Sequence, residues 1–267
     1  MNETNHLLEV AETAAEVSGK RLLKFFRNPK LSVKRKYDYP GSIVTNADKE
    51  SERLILGKIK RSNIKSTVIS EEAGRVEYGS RNIVWAVDPL DGTLNFAKGI
   101  PHFAVSIGVR VSKQTVAGAI YDPVLDEMYT AARGQGARLN GKKMKVSNPT
   151  TLRNAALIFE WWDPEPSIPD PLGLEKRLYR YTRSLRSPGS IALNLCSIAS
   201  GRFDGMITVY LKSPIWETTA GCLIIEEAGG RVTNSLGKSW EGLSRSIIAA
   251  EPVFQKKLMS FVKAGAK

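Results

Sequence analysis

The sequence predicts a mixed chain, an α+β half followed by an α/β half, and three observations carry this. Between Ala104 and Ala132, three strand-like segments follow one another with no room for crossover helices, which implies antiparallel pairing. Beyond residue 151, strand-like and helix-like segments take turns, as in βα units. The pattern changes around Ser147 to Arg153, which sets a boundary between residues 1–150 and 151–267. A chain of 267 residues can form one large domain or two of ordinary size with ample core.

Taken in order, residues 3 to 26 place Leu7, Val10, Ala14, Val17, Leu22 and Phe25 on one side of an amphipathic helix. Residues 28 to 43, with two prolines, several basic residues and Gly41, read as a mobile loop or hairpin. Thr45 and Asn46 can cap a second helix whose Leu54, Ile55 and Ile59 face the core. Thr67 to Ser70 reads as a strand running into Glu71-Glu72. Ile83 to Val87 is a short β-branched run, and Pro89 and Gly92 predict that its strand ends at Asp88. Ala104–Val111, Thr115–Tyr121 and Met128–Ala132 are the closely spaced strands, and Asn140-Gly141 signals a tight hairpin.

In the second half, Ala155 to Phe159 is strand-like, and Trp161-Trp162 with four following prolines forms a loop. Leu172 to Ser184 reads as a helix, and Gly189-Ser190 opens another that runs to Ser200. Gly205 to Val209 is a strand, and Glu217 to Ala228 is a helix stopped by Gly229-Gly230. Arg231–Thr233 and Ile247–Ala249 are short strands before a last helix.

Composition narrows the function. No apolar run approaches the roughly 20 residues of a membrane span, and the first residues show no secretory pattern, so we expect a cytoplasmic protein. Cys196 and Cys222 lie far apart in apolar segments, which predicts buried free thiols. Two cysteines and two histidines argue against a zinc-type site. The net charge of +12 suits nucleic acid or small phosphorylated substrates, but the basic residues are dispersed. The densest basic and aromatic patch is Lys34-Arg35-Lys36 with Tyr37 and Tyr39. Small anions are therefore the favoured partners over nucleic acid.

Asp88 and Asp91 stand three residues apart on a turn after a strand, where open α/β sheets place ligands. Two carboxylates this close repel unless a cation lies between them, and Mg²⁺ takes such oxygen ligands. Ordinary Asp-Pro and Asp-Gly turn chemistry accounts for the pair equally well. Three further acidic segments stand at element ends. Asp48 begins a helix and also complements its dipole, Glu71-Glu72 follow a strand and also fit a solvated loop, and Glu217 begins a helix after Trp216.

Together these segments resemble the inositol monophosphatase family of Mg²⁺-dependent, lithium-sensitive phosphatases. Asp88-Pro89-Leu90-Asp91-Gly92-Thr93, followed by Asn95-Phe96, is similar to its first signature. Trp216-Glu217-Thr218-Thr219-Ala220-Gly221, with Glu227-Ala228-Gly229-Gly230, is similar to its second. Thr45-Asn46-Ala47-Asp48 and Ser70-Glu71-Glu72 occur in the family's order. The resemblance implies a five-layered αβαβα sandwich, phosphate monoester hydrolysis, and two or three Mg²⁺ ions. It implies that the first half carries most of the metal ligands. Glu71, Asp88 and the Leu90 carbonyl would hold the first metal, and Asp88, Asp91 and Glu217 the second. Asp48 and Thr93 would orient the attacking water, and the N–H groups of Gly92 and Thr93 would grip the phosphate. The family has Asp where this chain has Glu217, whose carboxylate lies one methylene farther out.

The second half is expected to select the substrate. Gly189, Ser190 and Ile191 resemble the family segment that contacts the alcohol part of the ester. Near Tyr210 and Lys212, inositol-specific members carry an acid that this chain lacks, and Lys212 suits a second phosphate. The resemblance thus implies a dual inositol monophosphate and fructose 1,6-bisphosphate phosphatase of the archaeal type. The alternatives are a 3′-phosphoadenosine 5′-phosphate or NADP phosphatase, or a non-catalytic anion or nucleic-acid binding protein on the same fold. Family members commonly assemble as homodimers or higher homo-oligomers.

Overall fold

The computed structural model describes residues 3–36, 43–161, 170–209, 215–240 and 246–264. The tip of the predicted 28–43 loop, most of the proline-rich loop, and Tyr210 and Lys212 lie outside these residues. The first half contains α1 (Glu3–Leu22), β1 (Val33–Arg35), β2 (Ile43–Thr45), α2 (Asn46–Arg61), β3 (Thr67–Ser70), β4 (Gly74–Glu77) and β5 (Ile83–Asp91). It continues with α3 (Thr93–Ala97), β6 (Ala104–Val111), β7 (Gln114–Asp122), β8 (Glu127–Ala132), β9 (Ala137–Leu139) and β10 (Lys142–Lys143). The second half contains β11 (Ala156–Trp161), α4 (Pro171–Tyr181), β12 (Ser184–Arg186), α5 (Ile191–Ala199), β13 (Gly205–Val209), α6 (Ile215–Glu227), β14 (Arg231–Thr233), β15 (Ile247–Ala250) and α7 (Pro252–Lys263).

Eight strands form one sheet in the order β10-β9-β8-β7-β6-β5-β3-β4, and five form a second in the order β12-β11-β13-β15-β14. In the first, only the β3–β5 pair is parallel. The second is mixed: β11 runs parallel to β12 and β13, whereas β15 is antiparallel to both its neighbours.

Side-chain alternation assigns the layers. On the first sheet, Val105, Ile107 and Val109 face one way and pack with Leu7, Ala11, Ala14 and Ala15 of α1 and Ile55 and Ile59 of α2. Ile120 and Tyr129 face the other way, onto α5 and α6. On the second sheet, Ile158, Met206 and Ala249 meet α5 and α6. Leu157, Phe159, Ile207 and Val209 turn outward onto Leu174 and Leu178 of α4 and Phe254 and Leu258 of α7. The result is the helix–sheet–helix–sheet–helix sandwich that the family resemblance implies.

The middle layer explains the second signature. Every residue from Thr218 to Ile225 of α6 is buried, because sheets cover the helix on two sides. Its small residues allow a close approach: a Cβ on Gly118 would lie 2.9 Å from Ala220 Cα. Thr219-Ala220 therefore sets how close α6 sits to the first sheet, and so where Glu217 stands.

Three expectations are corrected, and one strand is added. The first strand of the site does not end at Asp88 but resumes through Asp91, with a register shift between them. Pro89, which has no N–H to give the ladder, lies in that irregularity. The helix expected over Leu172–Ser184 stops at Tyr181, and Ser184–Arg186 forms the edge strand β12 beside β11. The first helix stops at Leu22, and the chain continues in turns. An unexpected strand, β4, pairs with β3 at the sheet edge. Asn140-Gly141 forms the expected two-residue turn, with φ of 48° and 76°. Both cysteines are buried and free. Among the described residues, no helix is long and apolar enough to cross a membrane.

Candidate active site

Six element ends meet at one place: the N-termini of α2, α3, α5 and α6 and the carboxyl ends of β3 and β5. Asp48 enters through a capping box at the start of α2. Thr45 Oγ1 accepts the Ala47 N–H at 3.1 Å, and Asp48 Oδ2 accepts the Thr45 N–H at 2.8 Å and the Thr45 hydroxyl at 2.5 Å. The other oxygen, Oδ1, lies 3.2 Å from Thr93 Oγ1. The Thr93 hydroxyl is also 2.9 Å from the Leu90 carbonyl, and its single proton serves one acceptor at a time. Thus the predicted pair, Asp48 and Thr93, is in contact across 45 residues of chain.

The turn after β5 brings Asp88, Leu90, Asp91, Gly92 and Thr93 together. The Asp88 carboxylate accepts the Leu90 N–H at 3.0 Å, and the Ser51 hydroxyl holds the Pro89 carbonyl at 2.7 Å. Gly92 adopts φ +84°, and a Cβ there would come within 2.9 Å of the His102 carbonyl. Only glycine fits this turn without strain. Asp91 points to the second half: its Oδ2 accepts the Ala192 N–H at 3.0 Å and the Ser190 hydroxyl. Ser190 in turn caps α5. Of the predicted substrate turn, Gly189 is exposed, whereas Ile191 is buried in the core, so Ile191 can offer only backbone.

The electrostatics are those of charges held out of water. Asp48, Asp88 and Asp91 are 1%, 2% and 6% exposed. Burial pushes the Asp48 carboxyl up to about 7, against the lowering effect of Thr45, and the charges of Glu72 and Glu71 add to the rise. Burial also holds the Asp88 carboxyl well above the usual carboxylate range, with Glu71, Asp91 and Glu217 raising it in turn. Asp91 is raised by burial despite its bonds to Ser190 and Ala192. Each predicted metal-ligand acid thus lies within the field of another.

Sequence reasoning missed two participants. Lys36 Nζ sits 2.8 Å from Glu71 Oε1 and 2.7 Å from Glu72 Oε1. Its charge is opposed by burial but favoured more strongly by Glu71 and Glu72, so its pKa rises. Glu160 of β11 is buried behind the Gly189 turn. Lys36 lies in the patch singled out for its basic character, but nothing local in the sequence pairs it with Glu71. As the side chains stand, no three His, Cys, Asp or Glu among the described residues close around one point as a metal cage. The donor set nonetheless suits a hard cation: carboxylates and a carbonyl, all oxygen, with Asp88 and Asp91 raised first by burial and then by neighbouring acids, a repulsion that a divalent ion would relieve. A groove of about 570 Å³ beside α7 is lined by none of these residues.

Known proteins resemble the chain over almost its whole length. The Nus factor SuhB of Pasteurella multocida is 36% identical over 263 residues, covering 97% of this chain and 96% of SuhB. The crystal structure of the extragenic suppressor protein suhB from Bartonella henselae superposes with a TM-score of 0.91 at 32% identity, covering 97% and 99% of the two chains. A solved inositol monophosphatase–fructose 1,6-bisphosphatase superposes with a TM-score of 0.81 at 27% identity, covering 95% and 97%. The profile described as the inositol monophosphatase family matches residues 3–265, and with the signatures, the sandwich and these likenesses in accord, the chain belongs to that family.

Proposed function

We propose that the protein hydrolyses phosphate monoesters with Mg²⁺, acting on inositol monophosphate and fructose 1,6-bisphosphate. The observation that carries this is the Asp48–Thr93 contact beside the buried Asp88 and Asp91. When bound, Mg²⁺ supplies neutralisation of the dianionic ester and acidification of water. Glu71, Asp88, the Leu90 carbonyl, Asp91 and Glu217 would hold it.

The chain's own groups do the rest. Asp48, held by Thr45, accepts a proton from a water that the Thr93 hydroxyl orients, a general-base pairing suited by a carboxyl near pH 7. The backbone N–H groups of Gly92 and Thr93, at the start of α3, receive the phosphate oxygens. The Gly189 turn receives the alcohol part. Lys212 remains our candidate for a second phosphate, and Tyr210 for a substrate contact. We also propose that the active protein is a homodimer or a higher homo-oligomer.

Four esters assayed in parallel with Mg²⁺ test this: inositol monophosphate, fructose 1,6-bisphosphate, 3′-phosphoadenosine 5′-phosphate and NADP. Phosphate release from the first two is expected. Release from none of the four overturns the proposal. Glu217→Asp should lower the half-saturating Mg²⁺ concentration by about three- to tenfold, since Mg²⁺ demands near-ideal octahedral geometry. An unchanged Mg²⁺ titration would remove Glu217 from the ligand set.

Two observations favour a second reading, a non-catalytic nucleic-acid or anion binding role on the same fold: similar proteins bear the name Nus factor SuhB, and the chain carries a net charge of +12. If such a role operates without turnover, wild type and an inactive Asp88→Asn variant replace SuhB equally in a SuhB-deficient strain. If neither does, that reading falls.

A further inference from the structure

One buried carboxylate beside the site has no part in the reaction above. Glu160, 2% exposed, lies one residue from the carboxyl end of β11. Its Oε1 accepts the Gly189 N–H at 2.9 Å and Asn194 Nδ2 at 2.6 Å. A buried carboxylate costs several kcal/mol unless it is well hydrogen-bonded. An apolar side chain would fill the space between β11 and α5 without that cost.

Both donors belong to the turn that opens α5 or to α5 itself, and the same turn is held from the opposite side. Asn95, in the first signature, donates Nδ2 to the carbonyls of Pro188 at 2.9 Å and Gly189 at 3.3 Å. Gly189 is therefore gripped through its N–H by the second sheet and through its carbonyl by the first-signature helix. The polar line continues inward: Asn194 Oδ1 and His102 Nε2 are buried beside each other without closing a well-formed bond. Gly189 is open to solvent and Glu160 is not, so a ligand can reach the turn but not the carboxylate behind it.

We propose that Glu160 is a positioning residue that, by holding the Gly189 N–H, fixes the turn at residues 187–190 in the orientation that receives the alcohol part of a phosphate ester. This rests on the phosphatase reading given above. Glu160 makes no hydrogen bond to Gly92, Thr93 or the carboxylates of the first half, and its charge only adds to the rise that burial gives Asp91. Its loss therefore weakens binding of a bulky polyol ester more than it slows turnover. A small activated ester, p-nitrophenyl phosphate, does not use the polyol contacts.

The test compares wild type, Glu160→Gln and Glu160→Met. Methionine keeps the volume without an acceptor, so it avoids the cavity that alanine would leave. KM and kcat are measured with inositol monophosphate, fructose 1,6-bisphosphate and p-nitrophenyl phosphate. Amide hydrogen exchange over residues 187–192, which needs no turnover, is measured alongside. For Glu160→Met, KM for the polyol esters should rise about tenfold with kcat nearly constant and p-nitrophenyl phosphate unaffected. Exchange at 187–192 should be about tenfold faster. Glu160→Gln keeps an acceptor oxygen and should behave as wild type.

Unchanged exchange in Glu160→Met shows that Glu160 does not hold the turn. Faster exchange with unchanged KM shows that the held turn does not receive substrate. Equal impairment of the two variants points to charge rather than grip. Each of these overturns the proposal. A wild-type protein that hydrolyses none of the esters instead overturns the phosphatase reading, and with it the substrate role.

Discussion

Asp88→Asn should abolish the proposed Mg²⁺-dependent phosphate release and, in the absence of metal, should raise the melting temperature. The two effects have opposite signs because the carboxylate serves the reaction at the expense of the fold. Asp88 is 2% exposed and lies in the fields of Glu71, Asp91 and Glu217, all of which raise the cost of ionising it. Asparagine keeps an oxygen for the Leu90 N–H and removes the charge. The expected loss of activity is about a thousandfold or more, as for other groups that hold transition-state charge. The expected rise in Tm in EDTA is about 5 °C, from the few degrees per kcal/mol typical of a chain this long. Phosphate release and thermal melts with and without Mg²⁺ measure both effects. A variant that melts lower than wild type in EDTA would show that Asp88 is stabilising as it stands.

Mg²⁺ should stabilise the protein little at pH 5 and progressively more through pH 7, reaching a plateau above about pH 8. The sign follows from Asp48, whose carboxyl rises from 3.8 to about 7 on folding. Between these values the native state binds more protons than the unfolded state, so stability falls as pH rises. Asp88, Asp91 and Glu72 are raised as well and act in the same direction. His102 is lowered by burial and works the other way below about pH 6.5. A cation needs Asp88 and Asp91 deprotonated, and Asp91 is itself raised to about 7, so cation binding restores above pH 7 the stability that their ionisation removes. The measurement is Tm with Mg²⁺ minus Tm with EDTA, taken from pH 5 to 9. A difference independent of pH would mean that the ions bind elsewhere.

What could be read from the sequence was local in character. The cap at Thr45, the Asp88–Thr93 turn and the Asn140-Gly141 hairpin each declare themselves within a few residues. The long strands of the first sheet and the helices facing them carry clear periodicity. The misreadings fell where tertiary contact overrides local pattern. Ser184–Arg186 has no strand signature and is extended because β11 offers it an edge. β4 has three exposed residues out of four and pairs because β3 lies beside it. β5 resumes at Asp91 only because β6 takes it up again after the irregularity at Pro89. The site divides along the same line. Acids near signature residues were found, but Lys36 meets Glu71 across 35 residues and Glu160 meets Gly189 across 29. Glu160 was also hidden by its neighbours, since an acid between Phe159 and Trp161 reads as the frayed end of an apolar strand.

The burial of α6 between the sheets has a consequence for synthesis. All eight strands of the first sheet lie within the first 143 residues, but the helix that covers its inner face spans residues 215–227. At about 5–20 residues per second, the ribosome leaves that face without its partner for several seconds. During that interval Ile120, Tyr129 and the glycine-lined groove meant for Ala220 are open to whatever apolar surface they meet. The nascent first half is thus the species most prone to misassociate, and the second signature ends that vulnerability when it docks.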